Sequence, residues 1–299
     1  MTHKLRPLFP LLLCALFCSP ALPAQDPALL PLVNGLTHLP NASLRYTVLY
    51  HQSDLPAPTT TDYAFCHCGG SFYIKRYRHS ANQPAFTPEL LVEWLAFDGE
   101  VFQLYHRDAR LIVMGKDATA PSLRPFVPSL LAFHPWFCPS WQAFYVGGAE
   151  LFCLPGISTA ESVFKAAPDL AREAGGTALQ LQRTSPYGSR VHITLDAAAR
   201  LPARVFTEVL PEKKQTLLEV TQWSKPWPLN QAPAFIYPLH TRQTVTLLES
   251  GVTKPVFEIR VDPAHATHAD NVPPSEFTIP QTLARRVVNL DTQTTLEIK

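Results

Sequence analysis

Several sequence signatures are missing from this chain. It has no Gly-rich phosphate loop, no Cys-x-x-Cys pair and no apolar run of the roughly 20 residues that span a bilayer. The first absence argues against nucleotide chemistry, the second against the commonest structural zinc sites, and the third against a retained membrane helix. The nearest approach to a nucleophile elbow, Ser185-Pro186-Tyr187-Gly188-Ser189, does not match that pattern, and the carboxylates are scattered over turns and strand faces. An enzyme is not expected, and neither is a cofactor.

The N-terminus is more informative. Met1-Thr2-His3-Lys4-Leu5-Arg6 is basic, Leu8 through Cys18 is apolar, and Ser19-Pro20-Ala21-Leu22-Pro23-Ala24 is rich in small residues, the pattern of an export signal over residues 1–24. Cys14 follows Leu13 and Cys18 follows Phe17, not the small residue that lipid attachment needs. A periplasmic or secreted protein is therefore expected. Removing Lys4 and Arg6 from 25 basic residues leaves 23 against 24 acidic, a net charge of −1. Such neutrality argues against a nucleic-acid partner. The local run Lys75-Arg76-Tyr77-Arg78-His79 reads as a solvated strand face.

Four cysteines follow the signal: Cys66, Cys68, Cys138 and Cys153. In an oxidising compartment an even set favours two disulfides. Cys66 and Cys68 lie two apart in a strand-like segment and so share a face, which favours bonds from this pair to Cys138 and Cys153. The same thiols with His67 or His134 form a weaker metal alternative. Asp262, His265, His268 and Asp270 crowd a second segment, whose spacing matches no strong zinc pattern and reads as a polar loop. No metal is expected.

The body of the chain is dominated by alternation. In Arg190-Val191-His192-Ile193-Thr194-Leu195-Asp196 the apolar residues share one face and the polar ones the other, as in a half-buried strand. Strands are expected over residues 44–50, 62–78, 90–98, 100–106 and 110–114, and again over 178–184, 189–196, 203–210, 216–225, 236–248 and 252–262. Breakers such as Asp98-Gly99, Pro211-Glu212-Lys213-Lys214 and Ser250-Gly251 separate them without βαβ spacing, so the sheet is antiparallel. Residues 262–275 read as a loop, followed by a short extended segment at 276–279 and a tail. A short helix is expected over 27–34. Between about 120 and 175 prolines interrupt aromatic residues at short intervals, predicting a helical insert with helices at 129–133, at 140–145 and from 158 towards Glu173. With no Gly/Ser-rich linker, residues 25–299 form a single domain.

Three patterns carry a resemblance: Glu93-Trp94-Leu95-Ala96-Phe97-Asp98-Gly99; Leu195-Asp196 through Leu201-Pro202-Ala203-Arg204-Val205; and Val272-Pro273-Pro274-Ser275-Glu276-Phe277-Thr278-Ile279-Pro280. In these the chain resembles periplasmic lipoprotein-sorting carriers of the LolA/LolB kind. The resemblance implies a mainly β (α+β) fold, a curved antiparallel half-barrel covered on its concave face by short helices. It implies an apolar or amphipathic ligand such as a lipid or a lipoprotein acyl chain, and leaves room for peripheral contact with the envelope membrane. Phe126, Leu130, Phe133, Trp136, Trp141 and Phe144 concentrate large apolar side chains in the insert and are the candidate ligand-binding residues. The competing reading makes the same residues core, in a non-catalytic envelope scaffold whose sheet is plugged by its own side chains.

Overall fold

A computed structural model describes residues 39, 41–52, 55–118, 120, 122–123, 126–139, 171–172, 180–184, 189–196, 198–199, 201–225 and 236–298. The expected helices over 27–34 and 140–145, and the export signal, lie outside these residues.

The protein is mainly β, as expected, built on one curved open sheet. The first half is a meander of β1 (Ala42–Tyr50), β2 (Thr59–Cys68), β3 (Ser71–Arg78), β4 (Leu91–Phe97), β5 (Phe102–His106) and β6 (Leu111–Gly115). A second run comprises β7 (Ala171–Arg172), β8 (Gln180–Thr184), β9 (Arg190–Leu195), β10 (Pro202–Val209), β11 (Lys214–Trp223), β12 (Pro238–Leu247) and β13 (Val252–Val261). The two halves join where β13 pairs antiparallel with β1, Val261 opposite Tyr46 and Phe257 opposite Tyr50. At the far side of the meander, β15 (Arg286–Asn289) runs parallel to β6 and carries β16 (Thr294–Glu297) on its outside, while β14 (Thr267–His268) adds to the start of β1.

Alternation accounts for the packing. In β1, Ala42, Leu44, Tyr46 and Val48 are buried in turn, and their register partners continue the same face into β2 with Tyr63 and Phe65 and into β13 with Val261 and Ile259. This inner face holds the main core, which runs from Val113 through the centre of the sheet to Ile193. Leu123 and residues 126–138, including the short helix Phe126–Leu131, lie against it. The outer face of the meander has a cover of its own. There Trp94, Ala96, Tyr105 and Ile112 pack beneath Ile279, Ala284 and Val287, and Cys66 packs beneath Ala269 and Phe277. The segment between β14 and β15, which carries Ala269, Phe277, Ile279 and Ala284, is thus a strap across the back of the sheet.

Four local expectations differ. Residues 62–78 are two strands, not one, because Gly69 and Gly70 both take positive φ, +60° and +89°, and close a two-residue hairpin. The helix expected at 129–133 begins earlier, at Phe126, since Pro128 falls in a first turn whose N–H groups have no intrahelical acceptor. The segment at 276–279 is not extended: Pro273-Pro274 leads into a 3-10 turn over Pro274–Phe277. The helix expected to run towards Glu173 is replaced at its end by β7, whose backbone pairs with Leu181 and Gln182.

Candidate functional site

The residues that bear on function meet on the inner face. Leu130, Leu131, Trp136 and Phe137 are almost wholly buried there, while Phe126 and Phe133 are half-buried at its margin. Phe133 stands edge-on to Phe257 at 5.2 Å and to Tyr50 at 6.4 Å between ring centroids, and Trp136 stacks on Tyr237 at 5.7 Å. Four of the six candidate ligand-binding residues, Phe126, Leu130, Phe133 and Trp136, are therefore neighbours on one surface. Trp141 and Phe144 lie outside the described residues.

Beneath this cover runs a strip of polar aromatic groups. His134 is fully buried, against Phe65 at 4.1 Å, Tyr46 at 5.7 Å and Phe137 at 5.0 Å. Its Nδ1 accepts from the Trp136 backbone N–H at 3.2 Å, so the neutral ring carries its proton on Nε2, which faces the Tyr237 hydroxyl at 3.4 Å. Burial, reinforced by His67, pushes its pKa well below the usual histidine range. Tyr46 stacks on Tyr63 at 5.0 Å. Burial raises Tyr63 to about 12, opposed by the guanidinium of Arg76.

Arg76 opens the charged part of the site. It lies 3.0 Å from Glu93, and Glu93 lies 3.3 Å from His106, with Phe126 edge-on over the His106 ring at 4.4 Å. Glu93 is 6 % exposed, and His106 Nε2 is buried without a hydrogen-bond partner. An ion pair this sheltered is costly to desolvate and stands only because its two charges and the imidazole lie together. The three side chains come from β3, β4 and β5, side by side through the register Arg76–Glu93–His106. Sequence reading missed them. Tyr63 and Arg76 are mirror positions about the Gly69-Gly70 turn, and Glu93 and His106 about Gly99-Glu100, so two of the three juxtapositions were recoverable once those hairpins were placed. No comparable turn links Arg76 to Glu93.

Other expectations need correction. The run Lys75 to His79 is not a solvated face. Arg76 enters the inner face, whereas Lys75 lies on the outer one, 4.0 Å from the Trp94 ring and 4.3 Å from Tyr73, where burial lowers its pKa. The disulfide expected to join Cys66 or Cys68 to Cys138 is not formed, and all three are free thiols. The pair does share a face, but it is the outer one, while Cys138 is buried on the inner one. The sheet stands between them. Cys153 lies outside the described residues. His265 pairs with Asp262 at 2.6 Å and His268 with Asp270 at 2.7 Å, two separate exposed couples. Among the described residues no three His, Cys, Asp or Glu side chains converge as a metal site would require.

No family model and no curated protein matches the chain. Among solved structures it is similar to a LolA superfamily protein, NE2245, from Nitrosomonas europaea, at 10 % identity over 83 % of this chain and 96 % of that one, with a TM-score of 0.38. It is also similar to a DUF1329 family protein from Desulfovibrio piger, at 11 % identity over 84 % and 95 % of the two chains, with a TM-score of 0.39. A domain ascribed to outer membrane lipoprotein sorting from Vibrio parahaemolyticus gives 10 % identity over 80 % and 88 %, with a TM-score of 0.38.

Proposed function

We propose that this is an extracytoplasmic binding or carrier protein for an apolar or amphipathic ligand, a lipid or a lipoprotein acyl chain, held on the inner face beneath residues 126–138. The observation that carries this reading is the division of that face. A continuous apolar surface crosses both halves of the sheet, and the Arg76–Glu93–His106 group lies at its margin beside half-buried Phe126. An amphipathic molecule has the same division, and ligand sites of this kind pair an apolar lining with a few polar groups. The export pattern at residues 1–24 supports the compartment, and no helix among the described residues is long and apolar enough to cross a membrane.

A second reading rests on a specific observation. Leu130, Leu131, Trp136 and Phe137 are so completely buried that they plug the centre of the face themselves, which suits a scaffold rather than a carrier. Phe133→Asp separates the two. In a carrier, protein purified from its own envelope shows bound lipid by native mass spectrometry, and the variant stays folded but loses a fluorescent fatty acid. In a plugged scaffold the same charge, set against the Phe257 and Tyr50 rings, disrupts core packing and lowers the stability of a domain whose whole margin is about 5–15 kcal/mol. Wild-type protein free of lipid that takes up no acyl probe would rule out carriage.

A further inference from the structure

The sheet has two rims, one at each end of its strands, and they differ in chemistry. Among the described residues six large apolar side chains stand exposed, and five of them, Tyr50, Leu55, Leu247, Leu248 and Val252, lie at the same rim. Tyr50 ends β1, Leu55 follows it, and Leu247, Leu248 and Val252 form the tip of the β12–β13 hairpin, which Gly251 closes at φ +65°. The register brings these ends together: Tyr50 is opposite Phe257, and Leu247 is opposite both Val252 and Lys214. Exposed apolar residues scattered singly need no explanation, but a group at one edge does.

Charge follows the same polarity. Arg78, Arg107, Arg110, Lys213, Lys214 and Lys254 stand on the apolar rim with Glu89, Asp108, Glu212 and Glu249 among them, whereas Asp98, Glu100, Asp117, Asp196, Asp262 and Asp270 stand on the opposite one with Lys116. Glu212 and Glu249 pair with Lys214 and Lys213. The basic excess is thereby moderated, and the most concentrated apolar group on the rim is the hairpin tip.

We propose that this rim docks on an anionic lipid bilayer, with Leu247, Leu248 and Val252 entering the headgroup region and Lys254 and its basic neighbours facing the lipid charges. Aliphatic side chains on a short hairpin enter a bilayer at little cost to the fold, and each nearby lysine gains from the negative surface potential. The surface stands whether the inner face holds a ligand or is filled, so it extends beyond the carrier reading.

The test is co-sedimentation of the full chain with vesicles of phosphatidylcholine, alone and mixed with phosphatidylglycerol. Wild-type protein should bind the mixed vesicles more tightly than the neutral ones, and salt should narrow the gap. Leu247→Ser with Leu248→Ser should lower the partition coefficient by about tenfold or more on both vesicles without shifting the melting temperature, because both side chains are already exposed. Lys254→Glu should cost about fivefold or more on mixed vesicles and little on neutral ones. Leu296→Ser, an exposed aliphatic away from the hairpin tip, should change nothing. The proposal is overturned by wild-type protein that stays in the supernatant, or by a double variant that partitions like wild type. It is equally overturned by a dimer that the double variant abolishes, since that would assign the tip to a second copy of the chain.

Discussion

His134 concentrates the residue-scale argument. A histidine held neutral by burial has its folded-state pKa depressed, so the unfolded chain binds a proton that the folded one does not. Its contribution to stability is complete above the unfolded value of about 6.5 and is lost as the pH falls below it. The groups that face it, His67, Tyr46 and Tyr237, offer no anion to hold an imidazolium at that pH, because burial raises the pKa of both tyrosines. Urea denaturation should therefore show stability falling by up to about 1.4 kcal/mol per pH unit below 6.5 from this group. His134→Asn, which keeps an acceptor for the Trp136 N–H, should flatten that part of the slope. An unchanged slope would mean that another group titrates.

At the scale of the element, the strap decides how the outer face is sealed. Phe277 is 3 % exposed, lies 6.0 Å from the Tyr73 ring and covers Cys66. Nearby, the Ile279 N–H donates to the buried Gln103 side chain at 2.9 Å, and Glu276 lies 3.9 Å from Lys75. Each link is modest, whereas the aromatic ring is the large apolar contribution. Phe277→Ala should cost about 3–5 kcal/mol by urea denaturation. It should also expose Cys66, whose thiol burial raises to about 12 and keeps inert in the wild-type protein. Alkylation followed by peptide mapping reads that exposure. A loss below about 1 kcal/mol with Cys66 still protected would show that the strap is held by its other contacts.

For the whole molecule the decisive fact is a sheet with a covering on each face. Among the described residues no disulfide links those coverings, because Cys66 and Cys68 face the strap and Cys138 faces the inner core. Reductant should leave the melting temperature unchanged, and non-reducing peptide mapping should recover Cys66, Cys68 and Cys138 unlinked to one another. A Cys66–Cys138 or Cys68–Cys138 peptide, or a transition several degrees lower in reductant, would contradict this arrangement. Cohesion rests instead on the pairing of β1 with β13 and on the core that crosses that seam.

The alternation in β1, β9 and β13 was legible in the sequence because a strand with one buried face writes its period of two directly into residue order. The turns at Asp98-Gly99 and Ser250-Gly251 were legible for the same local reason, since backbone conformation selects their residues. The Arg76–Glu93–His106 group, the strap and the opposite placement of Cys66 and Cys138 were not. Each depends on which strand lies beside which and on which face a distant segment covers, and residue order does not carry that information. The short strands β15 and β16 escaped for the same reason, because β15 gains its place by lying beside β6, far away in the chain. The sequence by itself determined a mainly β, alternating chain of antiparallel hairpins. Only tertiary structure decided which face is inner, what residues 126–138 cover and which rim is apolar and basic, because those properties arise from long-range pairing between side chains that are remote in sequence.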